Sequence, residues 1–131
     1  MTTRDLLKGA AIAALILAPF PVLAADAGGE IVTAATHADL ASKAADLAGV
    51  RMHLHHTLNC LVGPSGTGFD PSNLNPCANS GMGAIPDTAD AGKKAKLEAA
   101  AGTVRAGLAA SAVALAQKDA ADAAKALTAL K

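Results

Sequence analysis

Large apolar residues recur at helical spacing in the first half of the chain. When successive residues are placed about 100° apart, a single stripe forms between residues 33 and 62. The stripe consists of Leu40, Leu47, Val50, Leu54, Leu58 and Leu61. Thr33 or Thr36 is suited to cap the start of such a helix, and Gly63 followed by Pro64 is typical of a helix end. The pattern predicts one long helix over residues 33–62.

The composition changes abruptly after this helix. Glycine and proline recur throughout residues 63–87, and both favour turns over regular structure. A loop of this length is uncommon in a compact domain and needs an anchor. A disulfide between Cys60 and Cys77 supplies one, because it ties the middle of the loop to the end of the predicted helix.

A second helical region extends from Thr88 to the end of the chain. Leu97 and Leu127 mark two apolar faces that are rotated by about 90° from each other. One straight helix would be about 65 Å long, too long for a small monomeric domain. We therefore expect helices over 88–107 and 111–130. The alternative is one extended helix that pairs in a homodimer. The fold class expected for the chain is an all-α, alanine-rich bundle of three to four helices with a disulfide-anchored loop.

The first 24 residues have the organisation of a cleavable secretory signal peptide. Arg4 and Lys8 precede a short apolar run, and small residues lead to a cleavage site after Ala24. Residues 2–8 resemble a twin-arginine export signal in which Thr3 occupies the place of the first arginine. The sequence thus predicts a periplasmic or secreted mature domain over 25–131, with no membrane anchor after cleavage. An oxidising compartment also favours the disulfide.

Charge, aromatic content and motifs exclude several function classes. The formal net charge of the chain is +0 and shows no basic cluster of the kind that nucleic-acid binding needs. Phe69 is the only aromatic residue outside the predicted signal, so stacking platforms for bases are absent from the mature sequence. No nucleophile elbow, phosphate-binding loop or His-Glu-x-x-His motif occurs. We expect a protein that is not an enzyme.

All four histidines fall in the predicted first helix. His53 and His56 are three residues apart, so their side chains share one face of a helix and can bind one metal ion together. Imidazole is a favoured ligand of copper and zinc. His55 and His37 lie on the other side of the leucine stripe and are further candidate ligands.

Neighbouring residues complete the expected site. Met52 can add a thioether ligand for reduced copper. Asp46 and Asn59 are positioned to orient the imidazole rings from outside the ligand set. A disulfide-bonded Cys60 cannot act as a thiolate ligand, which restricts the set mainly to histidines.

The leading hypothesis is an exported, non-enzymatic protein that binds a copper or zinc ion through His53 and His56. The first alternative is a structural or interaction module whose histidines and disulfide stabilise the long loop. The second is a small b-type haem protein. Haem is the weaker cofactor candidate because the chain lacks a Cys-x-x-Cys-His motif and has few large apolar residues to form a haem pocket.

Overall fold

The protein is an all-helical bundle in the part of the chain that the computed structural model describes, residues 25–131. The predicted signal peptide, residues 1–24, lies outside the described residues. The helices are α1 (Ala27–Lys43), α2 (Leu47–Val62), α3 (Ala84–Asp87), α4 (Ala91–Ala109) and α5 (Val113–Thr128). The predicted fold class is therefore confirmed, with one short helix more than expected. None of the helices within 25–131 is both long and apolar enough to cross a membrane.

The prediction of one helix over 33–62 is wrong. The segment divides into α1 and α2, which are joined by the short connection 44–46. Asp46 starts the second helix by accepting a hydrogen bond from the backbone N–H of Gly49 at 2.7 Å. The first helix begins earlier than expected, at the N-cap Asp26, and not at Thr33 or Thr36.

α1 and α2 pack against each other as an antiparallel hairpin. The Thr57 hydroxyl donates a hydrogen bond to the carbonyl oxygen of Ala34, and His53 contacts His37. The later residue of α2, Thr57, thus contacts the earlier residue of α1, Ala34, so the two helices run in opposite directions. The reversal also explains why Leu40, a member of the predicted leucine stripe, is 42% exposed.

The second helical region divides where the sequence predicts. α4 ends at Ala109 and α5 begins at Val113, which excludes the single extended helix. Ala112 occupies the N-cap position of α5 and makes no side-chain capping bond. α4 starts a few residues after Thr88, where Asp90 accepts a hydrogen bond from the Lys93 N–H at 2.6 Å.

The core consists of a few leucines among many alanines. Leu54, Leu61, Leu97 and Leu127 are fully buried. Alanines cover most of the remaining buried helix surface, and their small side chains allow the helices to approach closely. Phe69 packs against this core from the loop. Because the buried side chains are small, apolar packing contributes little to holding the long loop. A disulfide and hydrogen bonds to the loop therefore have a large part in fixing its position.

The Cys60–Cys77 disulfide is present, with a Cα–Cα distance of 5.1 Å. Asn59 holds the same part of the loop through its side-chain amide. Its Nδ2 donates to the carbonyl oxygens of Asp70 and Asn73 at 3.0 and 3.3 Å, and its Oδ1 accepts from the Asp70 N–H at 2.9 Å. A covalent bond and a hydrogen-bonded amide from adjacent residues of α2 therefore anchor the first half of the loop.

The end of the loop is fixed against α1 and α2 by close backbone contact. Gly63 has a φ of +67°, and a Cβ atom at this position would collide with the carbonyl oxygen of Met82. The fully buried side chain of Glu30 accepts a hydrogen bond from the Gly83 N–H at 3.0 Å. Asp87 accepts a hydrogen bond from the Met82 N–H at 2.7 Å. The loop therefore returns to the bundle in one defined position.

Candidate metal-binding site

Three of the four histidines meet across the α1–α2 hairpin. His37 comes from α1, and His53 and His56 come from α2. His37 and His53 each lie eight residues from Ala45, in the middle of the connection. An antiparallel hairpin places such equidistant residues side by side, and His56 joins them because it lies almost one turn further along α2.

The geometry of the three rings suits a shared ligand. The Nδ1 atoms of His37 and His53 are 3.4 Å apart. The ring of His56 stands nearly perpendicular to both other rings, at 87° and 88°, with centroid distances of 5.0 and 5.7 Å. One nitrogen from each ring lies within 4.8 Å of the other two.

These distances are close to those of an assembled zinc site. Zinc–nitrogen bonds of about 2.0–2.1 Å at tetrahedral angles place two ligand nitrogens about 3.3 Å apart. The pair formed by His37 and His53 already has this spacing. The nitrogen of His56 needs to approach by roughly 1–2 Å, a shift that side-chain rotation can provide.

The environment of the site favours the neutral form of the His37 and His56 rings. Burial lowers the pKa of His37, and positive charge on His56 or His53 would lower it further. Burial likewise lowers the pKa of His56, with additional repulsion from His53 and His55. Neutral imidazole is the form that binds metal ions, so the site does not need to lose protons from these two rings at neutral pH.

His56 contains a polar atom that lacks a partner. Its Nδ1 is buried and forms no hydrogen bond with the described residues, and the whole residue is only 9% exposed. Leaving a buried polar atom without a partner typically costs about 1–3 kcal/mol. The Nδ1 atom of His55 and the Oε2 atom of Glu30 are also without a partner within the described residues, but the His56 ring alone among these lies against the rings of both His37 and His53.

The fourth histidine has a different environment. His55 Nδ1 lies 3.5 Å from the Oδ2 atom of Asp70, in the loop. His55 therefore lies beside the loop, where the structural alternative would place a histidine, but its Nδ1 atom forms no hydrogen bond with the described residues. Met52, a proposed thioether ligand, has a side chain that is 44% exposed and is not one of the converging groups.

The two residues expected to orient the rings make other contacts. Asp46 caps α2 through the Gly49 N–H, and the side chain of Asn59 is engaged by loop backbone. Cys60 is in the disulfide and has no thiolate to offer. Of the residues proposed from the sequence, the structure thus brings together His53, His56 and His37.

The role of His37 depends on the reversal of the chain. On a single straight helix His37 falls on the far side of the leucine stripe from His53, on the same side as His55, so the pattern does not pair it with His53. The equal spacing of the two histidines about Ala45 is the signal that identifies the pair, but it has meaning only once a turn is placed there. An ion held by these three nitrogens would have a fourth coordination position for water or another ligand, beside the partly exposed rings of His37 and His53. Comparison with family models, curated proteins and solved structures gives no match, so the chemistry of the site carries the functional interpretation.

Proposed function

We propose that the protein is a non-enzymatic metal-binding protein that holds one zinc or copper(II) ion between α1 and α2, with His37, His53 and His56 as ligands. The observation that carries the proposal is the convergence of three imidazole nitrogens, from two helices, within 4.8 Å. The proposal sharpens the expectation from the sequence, since it names His37 as the third ligand.

The composition of the ligand set determines which ions the proposal includes. Calcium and magnesium prefer oxygen ligands, whereas the converging group consists of imidazoles alone. Among divalent first-row metals, copper(II) and zinc bind nitrogen sites well, and a tetrahedral arrangement favours zinc. An all-imidazole site also lacks the thiolates that make many structural zinc sites closed and tight.

The rest of the chain supports an exported protein that buffers or carries the ion. The disulfide is consistent with an oxidising compartment, and the first 24 residues have the pattern of an export signal. The partly exposed rings of His37 and His53 would let the ion enter and leave without unfolding of the bundle, whereas His56 is buried. His55 lies beside Asp70 in the loop and outside the converging group, so under this proposal the structural alternative would apply to His55 alone.

Calorimetric titration of the full chain with ZnCl₂ and CuCl₂ at pH 7.5 tests the proposal. We expect one ion per chain for the wild type. His37→Ala should weaken binding by more than the roughly 10–100-fold that loss of an outer contact costs, because it removes a ligand. His55→Ala is the matched control and should bind as the wild type does.

Two results would overturn the assignment. One is the absence of saturable binding of either ion to the wild type. The other is equal loss of affinity in His37→Ala and His55→Ala, since this would show that the surface density of histidines, and not the three-histidine geometry, captures the ion.

A further inference from the structure

A groove separate from the histidine group lies between the loop and α4. Its volume is about 360 Å³, within the size range of small-molecule sites. Val62, Met82, Ile85 and Pro86 form an apolar surface in it. Met82 is 54% exposed, so part of its side chain is accessible to a ligand in the groove.

The groove is fixed by the contacts that hold the end of the loop. The Met82 carbonyl packs against Gly63, where no other residue type fits, and the Met82 N–H is bound by Asp87. The next N–H, that of Gly83, is bound by the buried Glu30. Because these contacts exist before any ligand arrives, binding does not require ordering of the loop.

Two opposite charges line the same groove. Glu98 and Arg105 are seven residues apart on α4, so they lie on one face of the helix with about 10 Å between their Cα atoms. Arg105 is oriented by a hydrogen bond from its Nη2 to the carbonyl oxygen of Thr67 at 2.9 Å. Among the described residues neither charge forms an ion pair, and the guanidinium retains further donors.

We propose that this groove binds a short apolar peptide with free termini, whose amine pairs with Glu98 and whose carboxylate pairs with Arg105. A tripeptide in extended conformation spans about 10 Å, which matches the separation of the two charges along α4. Its central side chain then contacts the apolar surface around Met82 and Ile85. An anionic ligand alone would satisfy Arg105 but would be repelled by Glu98, and a cationic ligand would have the opposite mismatch.

The probe is the tripeptide alanyl-leucyl-alanine, titrated into the ¹⁵N-labelled full chain and followed by NMR. We expect shifts of the amides of Gly66, Thr67, Met82 and Arg105 with a dissociation constant of about 0.1–1 mM, typical of a ligand of this size. The N-acetylated and C-amidated tripeptides should each bind about fivefold more weakly, because each loses one partly exposed ion pair.

Arg105→Gln tests the carboxylate end, and it should also weaken binding about fivefold. Arg51→Gln is the matched control, since Arg51 likewise donates an Nη2 hydrogen bond of 2.9 Å to a backbone carbonyl, that of Ala110, on another part of the surface. Circular dichroism checks that both variants fold. The ligand comparison needs no variant, so it remains decisive even if Arg105→Gln does not fold.

Three outcomes would overturn the proposal. Equal affinity of the free and end-blocked tripeptides would show that the termini are not recognised. Stronger binding of octanoate than of the tripeptide would identify the groove as a site for apolar anions. No shift of the groove amides at about 10 mM tripeptide, ten times the weakest expected dissociation constant, would show that the groove does not bind such peptides.

Discussion

The Nδ1 atom of His37 lies 3.4 Å from the Nδ1 atom of His53, across two helices that are sixteen residues apart in sequence at this point. At this distance one Nδ1 can donate a hydrogen bond to the other, and the donating ring then carries its proton on Nδ1. A metal ion that binds both Nδ1 atoms needs each neutral ring to carry its proton on Nε2, and it links α1 to α2. This relationship makes the stability of the hairpin and the occupancy of the site interdependent.

Bound metal should raise the thermal stability of the protein. An ion that binds only the folded chain stabilises it by about 2.7 kcal/mol at a free concentration one hundred times its dissociation constant. For a domain of this size the midpoint of thermal unfolding should rise by about 10 °C or more. Differential scanning calorimetry with and without ZnCl₂ measures the shift. His53→Ala should abolish it, and a shift of equal size in that variant would contradict the assignment.

Acid should destabilise the metal-free hairpin through its histidines. Burial lowers the pKa of His37 and of His56 below the ordinary value of 6.5. The unfolded chain therefore takes up protons below pH 6.5 that the folded chain does not, and stability falls as the pH drops. Above pH 6.5 both states are neutral at these residues, and the contribution is constant.

Urea unfolding in the presence of a chelator, from pH 8 to pH 5, measures this effect. The stability of His37→Gln relative to the wild type should be constant above pH 6.5 and should increase below it. The comparison isolates the histidine because both proteins share every other titratable group. A difference that stays constant down to pH 5 would contradict a lowered pKa for His37.

The cap at Asp46 should couple helix stability to metal affinity. Asp46→Ala removes the bond to the Gly49 N–H and should lower the free energy of unfolding by about 1 kcal/mol. Since α2 carries two of the three ligands, we also expect weaker zinc binding. Asp26→Ala is the control, because Asp26 caps α1 through the Gly29 N–H at 2.9 Å and lies three turns before His37. Asp26→Ala should lower the free energy of unfolding by a similar amount and leave zinc affinity unchanged. If both variants weakened zinc binding equally, zinc affinity would not depend specifically on the cap of α2.

The buried Glu30 should make the protein less stable as the pH rises from about 4.5 to 7. Burial raises the pKa of Glu30 from 4.5 to about 7, and repulsion from Asp87 and Asp26 raises it as well. The hydrogen bond from the Gly83 N–H acts in the opposite direction and lowers the pKa. The folded chain holds a proton in this window that the unfolded chain has lost, so stability declines with pH.

Glu30→Gln should therefore stabilise the protein by about 2–3 kcal/mol at pH 8 and have little effect at pH 4.5. The glutamine oxygen can still accept from the Gly83 N–H, and its amide can donate to Asp87. Glu98→Gln is the control because it makes the same replacement at an exposed position. Chemical unfolding at the two pH values measures both variants. A Glu30→Gln variant that is equally destabilised at both would show that the carboxyl is not protonated in the folded state.

The disulfide should contribute a large share of the stability. Replacing Cys60 and Cys77 by alanine should lower the free energy of unfolding by about 3 kcal/mol, as expected for a closed loop of this length. Hydrogen exchange should show the loss of protection concentrated in residues 63–83. Asn59 continues to bind Asp70 in that variant, so Asn59→Ala in addition should release the loop further. No change in loop exchange in the double cysteine variant would contradict its role as an anchor.

The sequence by itself determined the helical class, the disulfide and the division between α4 and α5. Alanine-rich periodicity requires helices, the two cysteines flank a loop that needs an anchor, and a rotation of the apolar face near Gly107 marks a break. These are local properties, visible in spacing and composition. The histidines His53 and His56 were also recognisable as a pair, because they lie on the same turn of one helix.

Only the tertiary structure decided that the pair of His53 and His56 contacts His37. Residues 44–46 contain no glycine or proline, so the helical periodicity of the sequence shows no interruption there. In the structure Asp46 caps a new helix at this point, and the chain reverses, which brings His37 to His53. The burial of Glu30 could not be predicted from the sequence either. Nothing in the sequence around Glu30 indicates burial, which results from contact with Gly83, a residue distant in the chain. Periodicity reports which residues share a helix face, whereas a site built from two helices depends on how those helices cross.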